Sequence, residues 1–466
     1  MNEIRMEHDL LGDKAVPVDA FYGVHTLRAV ENFPITGIPI SIYPNLIYAL
    51  AYIKHAAALT NHQLGLLDAT KTDAIVYACQ QLYAGRCHDQ FIVDVIQGGA
   101  GTSTNMNANE VIANLALEYL GQPKGAYNVL HPNEDVNMSQ STNDVYPSAL
   151  KIAGYFGVLK LLDAMAVLRV AFENKAFEFR DILKMGRTQL QDAVPMTLGQ
   201  EFSTYAVMLG EDEARLREAL QLTTEINLGA TAIGTGINTH PDYAAIVCDH
   251  LRTLTGISLM TAPNLIEATQ DCGGFVQLSG VLKRIAIKLS KTCNDLRLLS
   301  SGPRAGFGEI NLPPMQAGSS IMPGKVNPVI PEVVNQVAFE VIGNDVTISF
   351  AAEGGQLQLN AFEPIIAHSL YKSVGHLENA CLTLADKCVN GITANVEHLR
   401  RSVENSIGIV TALNPYIGYA HATEVAQEAL ITGGSVYDLV LAKGLLSKEK
   451  LDDILRPEVL TQPRVM

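Results

Sequence analysis

Four short stretches of this chain combine hydroxyl, amide and glycine residues with almost no charge. They are residues 98–109 (GGAGTSTNMNAN), 139–144 (SQSTND), 186–192 (GRTQLQD) and 318–328 (GSSIMPGKVNP). Hydroxyl and amide groups, together with backbone N–H groups, can bind an anion without carrying a charge of their own. A single serine or threonine of this kind is usually an ordinary helix cap. Recurrence in four stretches favours a binding site for an anion.

The first two stretches each precede a helical pattern of apolar residues. Thr102, Ser141 and Thr142 are therefore expected near helix N-termini, where backbone N–H groups point outward. The GGAGTST sequence superficially resembles a phosphate-binding loop, but it lacks the ending whose lysine and hydroxyl hold phosphate and magnesium. We therefore expect an anion site here and not an ATP site.

The fourth stretch has the composition of a mobile loop with defined ends. Gly318 and Gly324 give its backbone freedom, whereas the prolines that follow restrict the exit into the next helix. An isolated lysine is normally a solvated surface residue, yet a surface loop without function is rarely so polar and so poor in acids. The loop also contains groups that supply a base, a positive charge and neutral donors, namely Ser319, Ser320, Lys325 and Asn327.

Long helices are expected to position these stretches. Apolar residues spaced by three, four or seven positions run through 151–180, 198–220, 275–300 and 332–350, and strand-like alternation is scarce. Thr197 and Gln200 form a capping box behind Pro195, which predicts a helix start at about residue 198. Ser435 and Ser447 are expected to begin short helices in a separate C-terminal unit that starts near residue 397. The predicted fold class is mainly α, with a long-helix bundle at its centre.

Composition argues against several functional classes. The formal net charge is −15 with no basic cluster, which disfavours nucleic-acid binding. No apolar run of about 18 residues occurs that could span a membrane. The N-terminal residues include acids where a signal peptide would have its apolar core, so we expect a cytoplasmic protein without membrane contacts. Seven scattered cysteines are typical of reduced core residues. Hydrophobic residues make up 48% of the chain, an excess that contacts between subunits would bury.

The sequence GSSIMPGKVNP at 318–328 matches the signature of the fumarase/aspartase superfamily. The other three stretches resemble the remaining active-site regions of that family in the same order, so the resemblance covers nearly the whole chain. It implies a mainly α, three-domain fold with a central long-helix bundle, divided here into residues 1–140, 141–396 and 397–466. It also implies a homotetramer in which three subunits complete each active site.

Three segments resemble aspartases more closely than fumarases: residues 22–33 (YGVHTLRAVENF), 89–110 and 184–201. Fumarases usually carry a histidine at the position of Gln189, paired with a glutamate at the position of Glu332. A neutral glutamine oxygen can accept a hydrogen bond from a substrate ammonium group, which an imidazolium would repel. The resemblance therefore implies reversible elimination of ammonia from L-aspartate to give fumarate.

The resemblance also implies a role for each candidate residue. Ser319 would be the general base that takes a proton from Cβ of aspartate, which leaves an aci-carboxylate with two negative charges. Backbone N–H groups of the loop and the Lys325 charge would stabilise the ionised serine. Donors to the β-carboxylate would be Thr102, Ser141, Thr142 and Ser320. The α-carboxylate would contact Lys325, Asn327 and Thr188, and the amino group would contact Asn143 and Gln189.

No cofactor is expected to be required, and activation by a divalent metal such as magnesium stays open. His131, Glu134 and Asp135 suggest a metal cluster, but a polar turn is the favoured interpretation, and the family uses this region as a secondary anion site. Two alternative functions are a fumarate hydratase and a non-catalytic helical scaffold with the same fold. The intact base loop argues against the scaffold.

Overall fold

The structure, a computed structural model, describes residues 3–463. Helices dominate it, which confirms the predicted mainly α fold class. The α-helices in the described residues are α1 (Val24–Asn32), α2 (Pro44–Gln63), α3 (Ala69–Tyr83), α4 (Thr102–Tyr119), α5 (Thr142–Glu178), α6 (Leu198–Gln221), α7 (Tyr243–Thr255), α8 (Leu265–Gln270), α9 (Gly273–Leu299), α10 (Val329–Glu353), α11 (Glu363–Lys387), α12 (Val396–Glu404), α13 (Val410–Thr432), α14 (Val436–Ala442), α15 (Lys448–Ile454) and α16 (Pro457–Leu460).

The strands are short and form pairs. In the part of the chain that the structure describes, there are four two-stranded sheets. Three of these pairs are antiparallel, and the third in chain order is parallel. The pairs are β1 (Ile4–Asp9) with β2 (Gly12–Pro17), β3 (Leu183–Thr188) with β4 (Gln191–Thr197), β5 (Glu225–Ile226) with β6 (Met260–Thr261), and β7 (Ile310–Asn311) with β8 (Thr393–Ala394).

The predicted start of α6 is confirmed at Leu198. The Gln200 backbone N–H donates to Thr197 Oγ1 over 3.0 Å, and the Thr197 backbone N–H donates to Gln200 Oε1 over 3.0 Å. This reciprocal pair is a capping box, which satisfies two donors that the helix itself cannot pair. The other predicted helical stretches lie within α5, α9 and α10.

The chain divides into two compact units. The first contains residues 1–162, 214–284 and 339–377, and the second contains 163–213, 285–338 and 378–466. Buried alanine, leucine and isoleucine residues of α2, α3 and α4 form much of the core of the first unit. In the second unit, Phe172, Phe202 and Tyr205 pack as tilted and edge-on aromatic pairs. The division into three domains at residues 140 and 396 stays a prediction.

The C-terminal helices begin as the sequence predicts. The Ser435 and Ser447 side chains accept hydrogen bonds from the Asp438 and Lys450 backbone N–H groups, which caps α14 and α15. Gly444, at φ 65°, ends the turn after α14. All seven cysteines are free thiols. Among the described residues, no helix has both the length and the apolarity needed to cross a membrane.

Candidate active site

The loop before α4 places Thr102 as the first residue of the helix. Gly101 has φ 88°, and a Cβ at this position would overlap the ring of Tyr146 on α5. Only glycine satisfies both the backbone angle and this close approach. The Thr102 hydroxyl donates to the Gly99 carbonyl over 2.7 Å. This hydroxyl therefore lies beside the loop that precedes α4.

A second helix begins beside the first. Thr142 is the first residue of α5, and its Oγ1 accepts a hydrogen bond from Asn105 Nδ2 of α4 over 3.0 Å. The Ser141 Oγ accepts from the Asn143 backbone N–H over 3.2 Å, and Asn143 Nδ2 donates to the Ala232 carbonyl over 2.8 Å. The Tyr146 and Asn105 contacts bring the starts of α4 and α5 together in the first unit. This pair of helix N-termini offers hydroxyl and amide groups for an anion.

A buried lysine lies behind these neutral groups. Lys54 of α2 is 0% exposed, and its Nζ donates to Asn137 Oδ1 over 2.8 Å and to Gln140 Oε1 over 2.9 Å. Burial lowers the pKa of Lys54 to about 7, because the charged form loses its hydration. Lys54 is not among the residues that the sequence singles out. The sequence indicates its position only weakly, because a lysine in an apolar helix gives no indication of the distant amide groups that it binds.

Thr188 and Gln189 lie at the tip of the β3–β4 hairpin. Thr188 pairs with Gln191, and the two residues between them, Gln189 and Leu190, have φ values of 56° and 63°. Left-handed backbone at residues other than glycine is unfavourable and often marks functional sites. The side chains of Thr188 and Gln189 are exposed. The sequence predicted a polar segment here but not a hairpin.

The base of the same hairpin is fixed by buried charges. Glu309, which is 1% exposed, lies between Lys184 and Arg187 of β3, and its Oε2 is 2.8 Å from Lys184 Nζ. The Arg187 guanidinium also stacks over the ring of Phe307, 4.3 Å from its centroid. This network holds the hairpin in place and leaves its tip exposed. Its members are far apart in sequence, so no local motif indicates them.

The loop at 318–328 closes on itself. The Gly318 backbone N–H donates to the Lys325 carbonyl over 2.8 Å, and Asn327 Nδ2 donates to the Gly318 carbonyl over 2.7 Å. Ser319 Oγ accepts hydrogen bonds from the backbone N–H groups of Ile321 and Met322, over 3.1 and 2.9 Å. Two N–H dipoles directed at one oxygen favour its ionised form. Ser320 and Lys325 of this loop are exposed.

The candidate residues divide between the two units. The first unit contains Thr102, Ser141, Thr142 and Asn143, which lie around the starts of α4 and α5. The second unit contains the hairpin tip and the base loop, with Thr188, Gln189, Ser319, Ser320, Lys325 and Asn327.

The segment around His131 is a capped turn. His131 Nδ1 accepts from the backbone N–H groups of Asn133 and Glu134 at the start of a π-helical turn, and Asp135 pairs with Lys71 over 2.8 Å. Within residues 3–463, no group of three or more His, Cys, Asp or Glu side chains is arranged to hold a metal ion.

Two known protein families match most of this chain. The model of a family described as Lyase matches residues 12–343, and that of Fumarase C C-terminus matches residues 409–462. The chain belongs to the lyase family. Within the lyases, it is 60% identical over 460 residues to an aspartate ammonia-lyase of Helicobacter pylori strain J99, covering 99% of this chain and 98% of the relative. It is 56% identical over 463 residues to the aspartate ammonia-lyase of Escherichia coli strain K12, covering 99% and 97%.

Solved structures of other lyases share the fold. A Brucella melitensis structure described as fumarate lyase:delta crystallin bound to cobalt has a TM-score of 0.97 and 54% identity, with 99% of this chain and 100% of that chain covered. A class II fumarase from Schistosoma mansoni has a TM-score of 0.92 and 35% identity, with 98% of each chain covered. The resemblance to the fumarase/aspartase superfamily is confirmed.

Proposed function

We propose that this chain catalyses the reversible elimination of ammonia from L-aspartate to give fumarate. The observation that carries the substrate assignment is the identity of 56–60%, over 99% of the chain, to relatives named aspartate ammonia-lyase. Identity to the class II fumarase is lower, at 35%. Gln189 at the hairpin tip agrees with an amine substrate, since a neutral amide oxygen accepts from an ammonium group.

Ser319 is the proposed base. An isolated serine hydroxyl is a very weak acid, and the two N–H groups at its Oγ support ionisation when the loop closes over substrate and excludes water. The Ser319 alkoxide takes the proton from Cβ of aspartate. The Cα–N bond then breaks, its electron pair leaves with nitrogen, and the carbanion pair forms the double bond of fumarate.

Donors at the substrate carboxylates support this step. Thr102, Ser141 and Thr142 lie at two adjacent helix starts, where hydroxyl and N–H groups suit the doubly charged aci-carboxylate. Ser320 of the loop is assigned to the same group. Lys325, Asn327 and Thr188 are assigned to the α-carboxylate, and Asn143 and Gln189 to the amino group.

The active protein is proposed to be a cytoplasmic homotetramer with composite sites. The long helices expose large apolar side chains that a solvated helix would rarely keep, including Phe339 at 61% and Phe350 at 73% on α10. Their exposure in the single chain supports an assembly that buries them between subunits. The reaction as proposed needs no cofactor, and a divalent metal such as magnesium acts at most as an activator.

The reverse reaction tests the substrate assignment. Purified protein supplied with fumarate and an ammonium salt should form L-aspartate, whereas fumarate without ammonium should form little or no malate. Chromatography of both mixtures measures the two products directly. Malate formation at a rate comparable with aspartate formation would favour the alternative, a fumarate hydratase.

A further inference from the structure

Asp144 joins two segments that are far apart in the chain. Its side chain is 0% exposed, and Oδ1 accepts from the Ser141 backbone N–H over 2.9 Å. Oδ2 accepts from the backbone N–H groups of Gly229 and Thr231, over 3.0 and 2.9 Å, although these residues lie 85 and 87 positions later. One buried carboxylate therefore fixes the turn at 139–143 against the segment at 229–232.

Asn143 is held on two sides, by Ala232 of this segment and by Asn227 just before it. Its Nδ2 donates to the Ala232 backbone carbonyl over 2.8 Å, and the backbone carbonyl of Asn143 accepts from Asn227 Nδ2 over 3.0 Å. Because a carbonyl can only accept, the amide nitrogen of Asn143 must face Ala232. The amide oxygen is therefore turned away from Ala232, and an amide oxygen can accept a hydrogen bond from an ammonium group.

The segment at 229–232 has an unfavourable backbone. Thr231 has φ 56°, although its side chain is β-branched, and among the described residues its buried Oγ1 has no hydrogen-bond partner. Gly229 has φ 98°, and a Cβ there would lie 2.7 Å from Ala244 Cβ. Backbone of this kind persists where its surroundings enforce it, and such residues cluster at functional sites. Asp144 supplies two of the enforcing contacts.

We propose that Asp144 is a positioning residue of the substrate site, which holds the 139–143 turn on the 229–232 segment and so directs the Asn143 amide oxygen at the substrate amino group. This inference rests on the proposed function. Asp144 itself does not touch substrate. Burial raises the pKa of Asp144 to about 6, while the three backbone N–H groups and the charge of Lys54 of α2 favour its ionised form, and burial together with Asp144 raises the pKa of Tyr243 of α7.

Asp144→Asn tests the inference with little change in volume. The amide keeps one acceptor but turns an NH2 group toward at least one of the three backbone donors, so the turn must move. A displacement of about 1 Å can cost up to ~100-fold in rate, and we expect kcat/KM for L-aspartate to fall about 10- to 100-fold, mainly through a higher KM. Circular dichroism and sedimentation should show an intact fold and assembly.

Asp94→Asn is the matched control. Asp94 is also buried and also accepts three backbone N–H bonds, from Thr36, Gly37 and Ile96, and none of these donors belongs to the four candidate stretches. This variant should lower the melting temperature but leave KM for L-aspartate unchanged. An equal KM increase in both variants would overturn the inference, because a general loss of packing would then explain it.

A double-mutant cycle with Asn143→Ala separates positioning from stability. If Asp144 acts through Asn143, adding Asp144→Asn to Asn143→Ala should lower kcat/KM little further, whereas independent effects would add. Should Asp144→Asn fail to assemble, Asn227→Ala removes the bond to the Asn143 carbonyl and should also raise KM. Additive losses of kcat/KM in the double variant, or a normal KM in Asp144→Asn while the wild type is active, would contradict this inference but not the proposed function. A wild type that makes no fumarate from L-aspartate would instead contradict the proposed function.

Discussion

The hydroxyl and amide groups assigned to the substrate carry no charge, and two buried titratable residues hold the segments around them. Lys54 binds the side chains of Asn137 and Gln140, and Asp144 binds the Ser141 backbone. Ser319 and Lys325 could be proposed from the sequence because they lie in one contiguous stretch. Lys54 could not, because its partners are 83 and 86 positions away, and only folding brings them together.

Glu363 provides a prediction about pH at the level of one residue. It is 4% exposed, and among the described residues its Oε2 has no hydrogen-bond partner. Burial raises the pKa of Glu363 to about 8 from its ordinary value of 4.5. Between these two pH values the folded chain binds a proton that the unfolded chain has lost, so this group's contribution to stability is full below pH 4.5 and is lost as pH rises through about 8.

In Glu363→Gln the side chain cannot ionise, so the variant should not show this loss of stability as pH rises. We expect the variant to melt above the wild type at pH 8.5 and to show a smaller difference at pH 5, in differential scanning calorimetry. Glu353→Gln, at an exposed position of α10, is the control and should change the melting temperature little at either pH. A difference for Glu363→Gln that is the same at both pH values would show that its ionisation does not affect stability.

The elements differ in how far local sequence determines them. The start of α6 could be predicted because Pro195, Thr197 and Gln200 act within a few residues of one another. The β3–β4 hairpin could not, because its tip places Gln189 and Leu190 in left-handed backbone, which these residue types disfavour. The hairpin is instead held by Glu309, which lies 122 positions beyond Arg187.

The start of α4 provides a prediction at the level of an element. Gly101→Ala forces a Cβ into the Tyr146 ring and should displace Thr102, so KM for L-aspartate should rise as well as stability fall. Gly121→Ala is the matched control, since Gly121 has φ 69° but nothing within 4 Å of an added Cβ. It should lose about 1 kcal/mol of stability from backbone strain alone. Normal kinetics in Gly101→Ala would show that the helix start does not position the substrate.

At the scale of the whole molecule, the fold and the family were predictable from the sequence, whereas the assembly stays a prediction. The long-helix pattern and the 318–328 signature are local features that the structure and the relatives confirm. The exposed apolar residues of α10 agree with burial between subunits. A composite site depends on the positions of several chains. The sequence of one chain therefore predicts such a site only through the family resemblance.

Mixed tetramers test the composite site. Thr188→Ala and Ser319→Ala, each inactive alone, should regain part of the activity when denatured together and refolded, because some sites would then combine an intact Thr188 with an intact Ser319 from different chains. The same variants refolded separately and mixed afterwards should stay inactive. Absence of recovery in co-refolded tetramers, confirmed by sedimentation, would mean that each site takes both residues from one chain.

The most direct test of the central claim is a forward assay with the intact protein. Purified wild type incubated with L-aspartate should release fumarate, followed by its ultraviolet absorbance, and ammonia, measured separately, in equal amounts. Ser319→Ala, which cannot accept the Cβ proton, should keep the fold and lose about 100-fold or more of this activity. Equal release of both products together with its loss in Ser319→Ala is the predicted result. No fumarate from the wild type, or near-normal turnover in Ser319→Ala, would contradict the account.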